Sequence, residues 1–308
     1  MNSILVTGGA GFIGSFTVEL LLAKGYKIAI LDNFKYGSIK NIEHLHGKVD
    51  VVKCDVRNYD ELTHIIQKVD AVIHLAAIVS VDEVNENPLK AFEVNAIGTL
   101  NLLELARKYD LERFVYASST AVYGEPRYLP VDENHIVSPL NPYGASKLAG
   151  EALVNSYRET YGLSTISLRY FNVYGPRMRP GPYAGVIMKF VQAALKNEPL
   201  VIFGDGTQTR DFVFVKDVAR ANTIALESKE TGIFNVGTGK ETSINELAEI
   251  IIKLTKSKSK IIHTYPRPGD IRRSVADISK IRNKLKWTPE IDLLRGLKET
   301  IRYLSQTL

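Results

Sequence analysis

Residues 3–14 read SILVTGGAGFIG, and the rest of the chain arranges itself around them. An apolar, β-branched run predicts a strand over 3–8. It leads directly into Gly8, Gly11 and Gly14, spaced G-x-x-G-x-x-G. A tight turn without Cβ atoms lets backbone N–H groups approach a pyrophosphate at a helix N-terminus. Glycine spacing alone would also suit a plain tight turn. The setting points to a dinucleotide: the glycines follow a strand, a helix-like stretch runs over 12–24, and the next strand, 27–32, ends in Asp32. Asp32 is placed to accept hydrogen bonds from the adenosine ribose hydroxyls. Its charge would repel a 2′-phosphate, which favours NAD over NADP, with Lys35 working against that preference.

Moving outward, buried parallel strands are expected at 3–8, 27–32, 49–55, 70–77 and 113–119, each apolar almost throughout. Helix-like stretches such as 88–109 lie between them. Alternating βα units give the fold class α/β, a Rossmann-type doubly wound parallel sheet. Asp55, after the third strand, either meets the adenine edge or caps a helix over 58–67. After residue 170 the texture changes to a Pro/Gly/Arg-rich loop (174–185), then helices and short strands around 186–196, 200–203, 243–255 and 276–286. The expected division is a NAD-binding domain over 1–170, to which a segment at about 212–236 returns, and a smaller, discontinuous substrate domain over 171–308.

Composition narrows the class. The chain has 308 residues, 45% of them hydrophobic and 24% charged, with a net charge of +5. That charge suits anionic small molecules, and no basic stripe with interleaved aromatics argues for nucleic acid. The lysines of 253–260 read as a solvated helix end. The single cysteine, Cys54, cannot form an internal disulfide, fits a reducing compartment, and reads as a small buried side chain. No Cys/His cluster has metal-ligand spacing, so no metal is expected. The N-terminus has no charged leader, and the most apolar window, 71–81, is too short to span a bilayer and contains His74. The expectation is a cytoplasmic protein.

NPYGASK, residues 141–147, supplies the chemistry. Asn141 is a good N-cap and Pro142 suits the first helical position, so Tyr143 and Lys147 lie one turn apart on one face. The same spacing at Tyr36 and Lys40 has no other catalytic sign around it. Tyr143 differs because SST (118–120) ends the fifth strand, at the sheet edge where α/β ligands bind. A lysine ammonium roughly 5–6 Å from a phenol, at an effective dielectric near 20, favours phenolate by about 3 kcal/mol, or roughly two pKa units. Tyr143 could then take a sugar hydroxyl proton as hydride leaves the carbon, with Ser119 hydrogen-bonded to the same hydroxyl.

The motifs TGGAGFIG, SSTAVYG, NPYGASK, LRYFNVYGPR, GDGTQTRDFVFVKDVA and RPGDIRRSVADISK, in this order, span nearly the whole chain. The chain resembles the extended short-chain dehydrogenase/reductases, and more narrowly the nucleotide-sugar 4-epimerases. The resemblance implies catalysis by Ser119, Tyr143 and Lys147. It implies cofactor contacts from Phe12, Ile13, Asn33, Val56, Leu75, Ala76, Ala77 and Phe171, and an Asn95 that supports Lys147 through water. For a nucleotide-sugar substrate it implies Arg210 and Arg267 on the diphosphate with Asn172, Asp270 on the nucleotide ribose, and Val186, Ile202 and Phe203 around the base. Taken without the family, the two arginines would also read as surface ion pairs. Ser274 stands where related epimerases often carry a larger residue, which implies room for an N-acetyl group and substrates among UDP-glucose, UDP-galactose and their N-acetylated counterparts. Related 4,6-dehydratases carry Asp-Glu at Thr120-Ala121, and decarboxylases keep the glutamate; a methyl group at Ala121 moves no proton. Another nucleotide-sugar oxidoreductase or 4,6-dehydratase of the same family, and a non-catalytic NAD-binding protein, are the alternatives. A homodimer through helices 88–109 and 142–161 is implied as well. Arg177 and Arg179 receive no role.

Overall fold

The computed structural model describes residues 1–181, 184–267 and 269–307, so the expected loop at 174–185 lies partly outside the described residues. Strand β1 (Ser3–Thr7) leads to helix α1 (Phe12–Ala23) and β2 (Lys27–Asp32). Next come β3 (Asp50–Lys53), α2 (Tyr59–Ile66), β4 (Ala71–His74), α3 (Val81–Glu86), α4 (Pro88–Phe92) and α5 (Gly98–Lys108). Then β5 (Arg113–Ser119), α6 (Pro142–Tyr161), β6 (Thr165–Tyr170) and β7 (Asn172–Tyr174) follow.

The helix boundaries follow from local chemistry. The Asn141 side chain accepts from the Gly144 N–H at 2.9 Å, satisfying one open donor of α6, and Pro142 fills the first position. Gly162, at φ 71°, ends the helix by donating its N–H to the Arg158 carbonyl. Between α4 and α5 the helix does not run on: residues Glu93–Ile97 form a π-turn. Such a bulge commonly marks a functional position, and here it carries Asn95.

The central sheet has seven strands in the order β11-β6-β5-β4-β1-β2-β3, all parallel, with β11 (Gly232–Val236) arriving from late in the chain. Its β6 pairing runs from Gly232 opposite Ile166 to Val236 opposite Tyr170. The expected doubly wound parallel sheet is present. The third strand departs from expectation: three of its four residues are exposed, because β3 is an edge with one neighbour.

The remaining elements are α7 (Val186–Leu195), β8 (Leu200–Phe203), β9 (Thr209–Arg210), β10 (Phe212–Phe214), α8 (Val215–Glu227), β12 (Thr242–Ser243), α9 (Ile244–Thr255), β13 (Ile261–Thr264), α10 (Ser279–Leu285) and α11 (Leu293–Thr307). One apolar core fills the sheet face under α1 and α8, a second the face under α2, α5 and α6, and a third joins α7, α9 and α11. Trp287, fully buried, donates to the Asp217 carbonyl at 3.0 Å and ties the C-terminal segment to α8.

Candidate active site

The glycine turn is closed on itself. Gly8 has φ +68°, and a Cβ on Gly14 would lie 2.1 Å from the Gly8 carbonyl oxygen. Only a bare backbone permits that packing. Across the turn, the buried Asp32 carboxylate accepts from the Ala10 N–H at 3.1 Å and the Phe34 N–H at 2.8 Å. Burial pushes its pKa up, and the two amides oppose the rise.

From this turn a continuous cavity of about 1250 Å³ runs to the C-terminal ends of the strands and on to Phe203, Arg210 and Arg267. Such a volume exceeds an ordinary small-molecule pocket of roughly 300–1,000 Å³. Every residue singled out above for cofactor, catalysis or substrate lines it, except Asn95 and Ile202. Ile202 alternates inward on β8 and packs in the third core; its neighbour Phe203 faces the cavity. Asn95 lies behind the wall. Its amide donates to the Ile78 carbonyl and to Ser146 Oγ, each at 2.9 Å, and accepts from the Ile78 N–H at 2.8 Å. It therefore holds the 78–81 loop against α6 and makes no direct bond to Lys147.

Ser119 closes β5, and its hydroxyl accepts from the Ala121 N–H at 3.2 Å. Tyr143 and Lys147 reach the cavity from α6, with the Lys147 Nζ 4.3 Å from the centre of the buried Tyr116 ring. The expected lowering of the Tyr143 pKa does not occur in this state. Burial pushes the phenol up, against a smaller pull from the Ser119 hydroxyl. The same burial brings Lys147 down to about 7, which weakens the cation that was to favour phenolate. His74 is held between Thr7 Oγ1 at 2.7 Å and Thr99 Oγ1 at 3.0 Å, and burial brings it to about 3, so it is neutral.

At the adenosine end the cap alternative for Asp55 falls away, since Asn58 caps α2. Asp55 instead accepts from Asn33 Nδ2 at 2.9 Å and from Arg57. Burial would raise its pKa, but these donors hold it at about 2. Lys35 is bonded to Glu83 at 2.8 Å. Tyr36 also donates to Glu83, and the Arg179 guanidinium covers the Tyr36 ring at 4.6 Å. Arg177 lies over Phe16 and bonds Glu19 of α1 at 2.7 Å. Sequence reading missed this clasp of Lys35, Tyr36, Glu83 and Arg179, because its members come from three segments with no shared motif.

At the far end Arg210 pairs with Asp270 and donates to the Ile271 carbonyl at 2.6 Å, while Arg267 stacks on Phe203 at 4.0 Å. Asn172 donates to the Asp211 carbonyl, and Ser274 is buried in the cavity wall. Asp211 was also missed: fully buried, it accepts from Thr238, Gly239 and Ala276 and so organises the chain beside Ser274. Cys54 is buried, as expected of a packing residue, and its thiol is pushed up to about 12. Among the described residues no group of three or more His, Cys, Asp or Glu side chains could hold a metal ion, and no helix is long and apolar enough to cross a membrane.

Comparison with known proteins places this geometry. A sequence profile described as GDP-mannose 4,6 dehydratase matches residues 5–300. A protein of Methanocaldococcus jannaschii with the provisional name UDP-glucose 4-epimerase is 48% identical over 303 residues, 98% of each chain. A UDP-N-acetylglucosamine 4-epimerase of Methanobrevibacter ruminantium, solved with UDP-N-acetylmuramic acid, superposes with a TM-score of 0.96 at 38% identity, covering 100% of this chain and 99% of that one. A Thermus thermophilus UDP-glucose 4-epimerase solved with NAD superposes at 0.93, also 38% identical, covering 99% and 100%. With the glycine turn, Asp32 and the Ser119, Tyr143 and Lys147 set in one cavity, the chain belongs to the GDP-mannose 4,6-dehydratase family, the nucleotide-sugar epimerases and dehydratases of the extended short-chain dehydrogenase/reductases.

Proposed function

We propose that the protein is an NAD-dependent 4-epimerase of a UDP-hexose. The observation that carries this is the single cavity in which a dinucleotide turn, a serine–tyrosine–lysine set and an arginine-lined end meet. The residues present fit NAD. The Gly8–Gly14 turn leaves backbone room for a pyrophosphate, and Asp32, with Lys35 drawn off by Glu83, disfavours a 2′-phosphate. When bound, NAD supplies the oxidant that takes the C4 hydride, the reductant that returns it, and a positive ring charge.

Tyr143 removes the O4 proton as C4 loses hydride, and the Ser119 hydroxyl bonds the same oxygen. Lys147 biases the phenol toward phenolate once the ring charge joins it. The product of this half-reaction is a 4-keto sugar, which turns over in the cavity before hydride returns to the other face of C4 and Tyr143 gives the proton back to O4. Ala121, in the cavity wall at the position of the dehydratase glutamate, provides no group to eliminate water. The small Ser274 supports acceptance of N-acetylated hexoses.

The exposed Leu89, Ile97 and Tyr161, on the 88–109 and 142–161 segments, support a homodimer packed through them. Purified protein incubated without added NAD is expected to interconvert UDP-galactose and UDP-glucose, and UDP-N-acetylglucosamine with its 4-epimer, as followed by chromatography. Tyr143→Phe should lower the rate by about 10²–10⁴. A 4-keto-6-deoxy product from dTDP-glucose, or full activity in Tyr143→Phe, would refute the proposal.

A further inference from the structure

Behind the catalytic wall lies an ion pair shut away from water. Arg169 of β6 binds Glu151 of α6 through Nη2 to Oε1 at 2.5 Å and Nε to Oε2 at 2.9 Å, and both side chains are 4% exposed. Ser118 Oγ donates to the same carboxylate at 2.7 Å. Arg169 also lies over the buried Tyr123 ring at 4.6 Å. A buried pair of this kind adds little net stability, since the desolvation of both ions offsets their attraction. Its place in the fold suggests another role. Glu151 is one helical turn beyond Lys147, Ser118 precedes Ser119, and Arg169 precedes the cavity residues Tyr170 and Phe171.

We infer that Glu151 is a positioning residue for the reaction: held by Arg169 and Ser118, it keeps a negative charge beside Lys147 and so keeps that side chain an ammonium. The other groups around Lys147 carry no charge. The Tyr116 ring of β5 lies 4.3 Å from Nζ, a neutral His74 of β4 lies within its field, and Ser119 and Tyr143 line the same cavity. Among the described residues Glu151 is the one carboxylate whose charge acts on Lys147, opposing the burial that strips its proton. Arg169 and Ser118 fix that carboxylate in place.

The inference rests on the epimerase reading for its relevance to turnover, and its test does not. Glu151→Gln keeps the shape and the acceptor for Ser118 while removing the charge. In protein carrying isotope-labelled lysine, the Lys147 Cε resonance, assigned by its loss in Lys147→Ala, is titrated by NMR. A unit charge at about 6 Å and an effective dielectric near 20 is worth about two pH units. Lys147 in Glu151→Gln should therefore titrate about one to two pH units lower than in the parent, and the alkaline limb of turnover should move the same way. Ser118→Ala, which leaves the charge, should titrate like the parent.

Because Glu151→Gln strands Arg169, the double variant Glu151→Gln/Arg169→Met is measured beside it. It removes both charges and should fold with the acid-shifted Lys147. An unchanged Lys147 titration in either folded variant, or failure of both to fold, would overturn the inference and leave a purely structural pair. Parent protein that titrates as described but turns over no nucleotide sugar would instead defeat the epimerase reading alone.

Discussion

Lys147 stands with its ammonium over the Tyr116 ring, and burial draws its pKa from the usual lysine range to about 7 against the pull of Glu151. The folded chain therefore holds this proton less tightly than the unfolded chain, whose lysines titrate at about 10.4. Between those values the unfolded state binds more protons, so stability at this site rises with pH. The full cost is present below about 7 and is gone above the unfolded value. Lys147→Met should stabilise the protein by a few kcal/mol at a pH of about 6, with the gain shrinking by about 1.4 kcal/mol for each pH unit above the folded value. Urea unfolding across that range checks it, and a pH-independent gain would mean that packing, not charge, is responsible. Tyr143 shows how far residue chemistry is legible in a sequence. Spacing put the phenol and the ammonium on one helix face. It could not weigh burial, which depends on strands brought in from elsewhere and which raises the phenol in the free protein.

Elements whose limits are set by their own residues are legible in the sequence alone. The glycine turn, β2, β5 and the α6 start at Asn141-Pro142 are of this kind. Elements defined by neighbours are not. β3 looks like an interior strand but has no outer partner, Asn95 sits on a π-turn that no local pattern announces, and Ile202 turns to the core by the alternation of β8. The clasp of Lys35, Tyr36, Glu83 and Arg179 likewise exists only once three segments meet. The glycine turn itself is the most exacting element. A methyl at Gly14 would strike the Gly8 carbonyl at 2.1 Å and the Gly9 Cα at 2.8 Å, both main-chain atoms that cannot swing aside. Gly14→Ala is expected to lower stability by about 1–3 kcal/mol and to abolish co-purified NAD, measured by absorbance after acid release. Retention of full NAD content would show that the turn opens at little cost.

Seen as a whole, the molecule leaves Leu89 80% exposed and Ile97 51% exposed along the same helical segment, while its interior cores are closed. If that face joins two copies, Leu89→Glu with Ile97→Glu should convert the dimer to monomer in sedimentation velocity without altering the circular dichroism spectrum. A parent protein that sediments as a monomer would remove the dimer proposal and leave the catalytic one untouched. The order of strands carries a further consequence. β6 gains its outer neighbour only from β11, whose residues 232–236 lie more than sixty positions downstream. On the ribosome, then, a nascent chain that has emerged only through β6 presents a bare strand edge able to pair with other chains. Closure of the N-terminal sheet must wait until about three-quarters of the polypeptide has been made.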